Sequence, residues 1–172
     1  RRTGRLSARQ LETLAPLPPE ARAALGEVLL RDHLADPQTP LNAEDLPNLL
    51  QEALAVLAAP DLARFFAPET LSEVPVSADV PGLGRLHGQI DRLIVTPARV
   101  TAVDFKTNRT VPTEPGQVPE GLLRQMGAYA AALAQIYPGR VVETGLIWTA
   151  TAHYMPLPHD LVTLALARTG AS

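Results

Sequence analysis

The sequence predicts an α/β domain: a mixed central β-sheet flanked by helices, with a mainly helical part at its N-terminal end. Three observations predict it. Apolar residues recur at helical spacing through residues 1–70, the period shortens to strand alternation from Leu71, and a further helix, strands and a closing helix follow. At 172 residues the chain can bury one proper core and reads as a single domain, 1–172, with the sheet in 71–172.

Leu6 to Leu14 reads as a short helix, ended by Pro16-Leu17-Pro18-Pro19. Pro19 and Glu20 open a second, Ala21 to Leu34, in which Ala24, Leu25, Val28 and Leu29 form one stripe. A third, capped by Asn42 or Asp45, runs through Leu49, Leu50, Leu54 and Leu57 to the break at Pro60. Ser72 to Val80 then alternates, with Val74, Val76 and Ala78 on one face, and Gly82-Leu83-Gly84 turns the chain into a longer β run, Arg85 to Val95. Thr96 to Arg99 separates that run from Val100 to Lys106, the spacing of a hairpin. Thr107 to Pro119 is loop, because Pro112, Pro115, Gly116 and Pro119 interrupt any regular pattern. Pro119-Glu120 opens the clearest helix, closed at Tyr137-Pro138-Gly139. Val142 to Thr149 and a short segment around Tyr154 are strands, and Leu157 to Arg168 is a closing helix.

Composition narrows the function. With 46% hydrophobic and 19% charged residues the chain is not a disordered tail, and no apolar run approaches the ~18 residues of a membrane span. Cysteine is absent, which excludes disulfides, thiolate zinc sites, iron–sulfur clusters and cysteine nucleophiles. No signal peptide or lipidation motif is visible and the chain opens on Arg1, so it reads as a piece of a larger intracellular protein. A net charge of −3 argues against a free-standing nucleic-acid binder held by bulk charge, although a tethered domain needs no basic patch of its own. Of the 15 basic residues, 14 are arginine and one, Lys106, is lysine. Either chance kept it, or a compact ammonium does something there that a planar guanidinium fork cannot.

The hairpin carries the chemistry. If Thr96 to Arg99 is a four-residue loop, Val95 pairs with Val100, and the register then sets Asp91 opposite Asp104 and Gln89 opposite Lys106. Asp104 and Lys106 share a face with Asp91, Leu93, Val95, Val100 and Ala102, while Ile90, Ile94, Val103 and Phe105 fall on the reverse face. Opposed β carbons lie roughly 4.5 to 5.5 Å apart, and two carboxylates that close repel by roughly 3 kcal/mol at an effective dielectric near 20. One carboxyl stays protonated, or the lysine neutralises the pair, or a divalent cation sits between them. Two Asp with open positions for water suit Mg²⁺ or Mn²⁺ better than zinc, and a metal beside an ammonium suits phosphodiester hydrolysis.

Leu86-His87-Gly88-Gln89-Ile90-Asp91-Arg92-Leu93 followed by Val103-Asp104-Phe105-Lys106-Thr107-Asn108-Arg109 resembles the nuclease motifs of the RecB-like branch of the PD-(D/E)XK superfamily. Gln125-Met126-Gly127-Ala128-Tyr129 is similar to that branch's Gln-x-x-x-Tyr motif, and Glu73-Val74-Pro75-Val76 to its further acidic position. The resemblance implies a restriction-endonuclease-like fold and a metal-dependent DNA exonuclease domain of an ATP-dependent helicase–nuclease that processes double-strand breaks. It makes Asp91 and Asp104 metal ligands with the carbonyl of Phe105, Lys106 the catalytic lysine, and Glu73, Gln125 and Tyr129 supporting residues. Ordinary helix packing is the other reading of Tyr129. Arg92, Arg109 and Arg124 are candidate phosphate contacts, or else solvated surface arginines. The implied partners are DNA, helicase domains of the same chain, where any ATP would bind, and a second subunit; the implied location is the bacterial cytoplasm at the nucleoid, with no membrane.

One position departs from the pattern. Gly4-Arg5-Leu6-Ser7-Ala8 aligns with an early Gly-x-x-x-His segment, so Ala8 stands where the family's metal-binding His is usual. His33, His87, His153 and His159 lack metal-ligand spacing. The alternative function is therefore a degenerate nuclease fold, weak or inactive, that acts as a structural or DNA-guiding module. Gly82-Leu83-Gly84 lacks the rest of a dinucleotide fingerprint, and no phosphate-binding Walker loop occurs.

Overall fold

The architecture comes from a computed structural model that describes residues 8–34 and 43–168. Helix α1 (Ala8–Leu14), α2 (Pro19–Leu34) and α3 (Leu46–Ala58) form the N-terminal part, with a single 3-10 turn at Ala43–Asp45 and a longer 3-10 segment at Pro60–Phe66. The expected start of the first helix at Leu6 and the alternative cap Asn42 lie outside the described residues. Proline at the first turn of α2 and α3 costs nothing there, since those N–H groups have no helical partner. Arg22 ties the three helices together. Its guanidinium donates to the carbonyls of Ala15 and Leu17, each at 2.9 Å, and of Leu57 at 3.3 Å, satisfying groups that helix ends leave open.

A five-stranded sheet follows, in the order β1 (Leu71–Val80), β2 (Gly84–Val95), β3 (Arg99–Lys106), β4 (Val141–Trp148), β5 (His153–Leu157). All neighbours are antiparallel except β3 and β4, which run parallel because α4 (Glu120–Ile136) carries the chain between them. Helix α5 (His159–Ala167) packs beside α4. The turn between β1 and β2 needs left-handed backbone at Gly82 (φ 82°) and Gly84 (φ 78°), which glycine supplies without a Cβ clash. The 3-10 segment at 60–66 was not legible in the sequence, because Pro60 ends the helical period of α3 and no pattern of its own marks the tighter helix beyond it.

The core lies on both faces of the sheet. On one, Leu93, Val100, Ala102, Leu146, Trp148, Met155 and Leu157 pack with Met126, Leu133 and Val162 of α4 and α5. On the other, Val103 and Ile147 meet Val56, Leu62 and Phe65. Strand β3 is buried on both sides through Val100–Asp104, so the polar groups at its end sit on an enclosed central strand of the sheet. Among the described residues no helix is long and apolar enough to cross a membrane.

Candidate active site

The chemistry gathers where β2 parts from β3. The ladder between them runs from Val95–Val100 to Arg92–Val103, the register expected from the turn, and stops there. Next along, Asp91 and Asp104 are no longer registered partners. Asp91 Oδ2 accepts the N–H of Phe105 at 2.8 Å. Continued alternation would have directed that N–H at the Ile90 carbonyl, so a side chain has taken the place of a ladder bond.

Asp104 is buried at 5% exposure, and Lys106, two residues on and therefore on the same face, donates from Nζ to its Oδ2 at 2.9 Å. The two side chains are 7% and 11% exposed, so this is an enclosed, charge-assisted bond rather than a surface ion pair. The Asp91 carboxyl is pushed up to about 6, first by burial and then by the charge of Asp104 and a hydrogen bond with it; the Phe105 N–H and the Lys106 charge pull the other way without compensating. Lysine alone does not neutralise the carboxylate pair.

Tyr129 and Gln125 brace this point from α4. The Tyr129 hydroxyl donates to the carbonyl of Gln89 at 2.9 Å and accepts from Gln125 Nε2 at 3.0 Å. Tyr129 is 6% exposed within the core, so packing and support of β2 are one contact rather than alternatives. Burial, then the charge of Asp104, raise its hydroxyl above the usual tyrosine range and keep it a donor. Gly88 makes the approach possible: a Cβ there would lie 2.6 Å from Tyr129 Cε1. Its role was missed in the sequence, although a glycine inside a β run is the signal of such a close approach.

Three expectations are corrected. Ile90 does not share the reverse face with Ile94, Val103 and Phe105; it joins Val76 and Tyr129 on the α4 side. Gln89 does not lie in a ladder opposite Lys106, since the ladder has ended and Gln89 is exposed, turning its carbonyl to Tyr129. Arg92 is not offered to a phosphate: it is 2% exposed on the side away from the carboxylates, with its guanidinium 5.3 Å from the Phe66 ring, 5.8 Å from the Phe105 ring and 4.0 Å from Glu12. Burial lowers its pKa, and the charge of Glu12 opposes this most. All three corrections have one cause. Glu73 adopts a left-handed φ of 48°, and the β1–β2 ladder skips the Glu73–Asp91 position between Ser72–Arg92 and Val74–Ile90. Side-chain parity changes across that step.

Glu73 itself is exposed, and its charge acts on Arg92. Arg109 and Arg124 are exposed. Ala8 begins α1; His87, His153 and His159 are exposed, and His33 lies where side chains are not described. Among the described residues no group of three His, Cys, Asp or Glu is poised for a metal.

A mixed sheet flanked by helices, with two carboxylates and an ammonium converging at the end of a central strand, defines a restriction-endonuclease-like α/β protein. The family comparison agrees: residues 5–163 match the PD-(D/E)XK nuclease superfamily, and the chain belongs to it. No curated protein matches the sequence significantly. Members of the superfamily are generally nucleases that use divalent metals such as Mg²⁺, which brings DNA as the substrate class. The residues present fit such an ion. Asp91 and Asp104 each accept a neighbour's N–H on Oδ2 while their carboxyls lie within hydrogen-bond reach of each other, and the Phe105 carbonyl shares the side of the strand on which its N–H meets Asp91. An all-oxygen set of this kind suits a hard cation.

Proposed function

We propose that Asp91, Asp104 and the carbonyl of Phe105 hold Mg²⁺ or Mn²⁺, that Lys106 is the catalytic lysine, and that the domain hydrolyses DNA phosphodiesters. The observation that carries this reading is the uncompensated carboxylate pair: Asp91 rises to about 6 beside Asp104 even with Lys106 bonded to the latter. A divalent cation bound there supplies charge for a phosphoryl oxygen and a water of lowered pKa. Lys106 holds Asp104 with one proton and keeps two N–H donors for a phosphoryl oxygen or the attacking water. Gln125 and Tyr129 position β2 through Gln89, and Arg109 and Arg124 are exposed for phosphate contacts.

The finer reading rests on the Gln125–Tyr129 spacing and the motif around Asp91. It is an AddA-type, RecB-like exonuclease domain, residues 1–172, attached to helicase domains and partnered by a second subunit in an AddAB-type complex that repairs double-strand breaks at the bacterial nucleoid. Ala8, in place of a ligating His, supports a second reading in which the fold guides DNA without cutting it. Cleavage of single- and double-stranded DNA by the full chain, with Mg²⁺ or Mn²⁺, tests both. Activity lost in Asp104→Ala and in Lys106→Ala is expected; metal-dependent cutting that survives both overturns the site. No cutting by the natural chain, restored by Ala8→His, favours the guiding role.

A further inference from the structure

Lys106 ends β3 with a registered neighbour on one side. The β2 ladder has stopped at Arg92–Val103, so β2 gives it no partner, whereas β4 runs parallel beside it as far as Trp148. Registered residues of adjacent strands point to the same face, and the strands lie about 4.8 Å apart. The indole and the lysine stem therefore stand side by side on the face that carries Asp104. The backbones are tied there as well, since Thr149 Oγ1 donates to the Lys106 carbonyl at 3.4 Å.

A lysine at a strand end has a flexible stem and a strongly hydrated ammonium, and its default is to swing into water. Here the side chain is enclosed, with its ammonium held on Asp104. Trp148 is fully buried in the cluster that includes Leu146, Met126 and Val118, so its ring has no room to give way. Its Nε1–H is also buried, with no hydrogen-bond partner among the described residues. Burying an unpaired donor costs stability, which an apolar side chain in the same core would avoid. What the indole contributes is then its rigid face rather than its N–H. We propose that Trp148 is a positioning residue for Lys106: the fixed ring closes the β4 side to the lysine stem and turns the ammonium back onto Asp104. The proposal rests on the nuclease reading above and adds to it the group that orients the lysine.

Trp148→Leu removes the wall and keeps the core apolar, and Trp148→Met, whose flexible chain fills irregular space, serves if the leucine does not fold. Trp148→Phe keeps a ring and loses only the N–H and some breadth. Two measurements on the full chain separate the cases. The first is labelling of Lys106 by an amine-reactive ester, read by mass on the peptide that carries it. Labelling is slow in the natural chain and in Trp148→Phe, and faster in Trp148→Leu or Trp148→Met. The second sets DNA cleavage beside Mg²⁺ titration. In Trp148→Leu kcat falls roughly 10- to 100-fold, the size of loss that a misplaced catalytic group brings, while KM and Mg²⁺ affinity hold because both carboxylates remain. Trp148→Phe recovers most of kcat. A core that had merely loosened would lower Mg²⁺ affinity too. Unchanged labelling in a folded Trp148→Leu or Trp148→Met, a kcat loss matched by lost Mg²⁺ affinity, or a Trp148→Phe as impaired as Trp148→Leu overturns the positioning role. Labelling needs no turnover, so failure of the nuclease reading shows separately, as cleavage that Asp104→Ala leaves intact.

Discussion

Glu73 faces Asp91 across the one position that the β1–β2 ladder skips, with its backbone held at a left-handed φ of 48°. The consequence reaches both strands. Ser72, before the step, bonds Glu12 of α1 through Oγ at 2.5 Å, whereas Val74 and Val76, after it, pack on the α4 side. Asp91 therefore sits where β2 changes the face it presents, free to give its carboxylate to Phe105 instead of continuing a regular pair.

A non-glycine residue in that conformation stores strain of roughly 1–3 kcal/mol, worst for β-branched side chains. Glu73→Gly is expected to leave stability unchanged or raise it by about 1 kcal/mol, and Glu73→Val to lower it by roughly 1–3 kcal/mol. Urea unfolding measures both. Equal losses in the two variants would show that the carboxylate, not the backbone, matters at this position.

Asp91 links stability to pH. Its folded pKa of about 6 lies above the unfolded value of 3.8, so the stability carried by the protonated form is complete below about 4 and is lost as pH rises through about 6. The loss approaches roughly 3 kcal/mol at neutral pH without a cation. Millimolar Mg²⁺, which competes with that proton, is expected to raise the melting temperature more at pH 7.5 than at pH 5. The difference should vanish in Asp91→Asn. A shift of equal size at both pH values would place the cation elsewhere.

Substitution of Lys106 is expected to separate chemistry from metal binding. Lys106→Ala removes a positive charge from the carboxylate pair, so divalent-ion affinity, read by isothermal titration, should hold or tighten while kcat falls about 100-fold or more. Asp104→Ala should abolish both. Weakened ion binding in Lys106→Ala would instead make the lysine a structural prop for Asp104.

Gly88 and Tyr129 should couple. Gly88→Ala sets a Cβ 2.6 Å from Tyr129 Cε1 and is expected to cost roughly 1–3 kcal/mol. In a Tyr129→Leu background the same change should cost much less, because the ring it strikes is gone. A double-mutant cycle by thermal unfolding gives the coupling, and additive losses would mean that the two residues do not meet.

Much of this was legible along the chain. Helical spacing located α2 and α4, alternation located β1 to β3, and four turn residues set the register that brings Asp91 to Asp104, because these depend on neighbours a few residues away. The two-residue step from Asp104 to Lys106 placed both on one face for the same reason. What the sequence by itself determined is therefore the pair of carboxylates, the lysine and the two strands that carry them. Only the tertiary structure decided which side of the sheet each flanking residue takes. Arg92 turned to Phe66 and Glu12, Ile90 to the α4 side, and Gln89 to Tyr129, through partners 26 to 80 positions distant in the chain. Strict alternation assumes that every strand residue keeps its extended backbone. Packing of α1 and the 3-10 segment on one side and α4 on the other accompanies a left-handed step at Glu73, and that step is written in no local pattern.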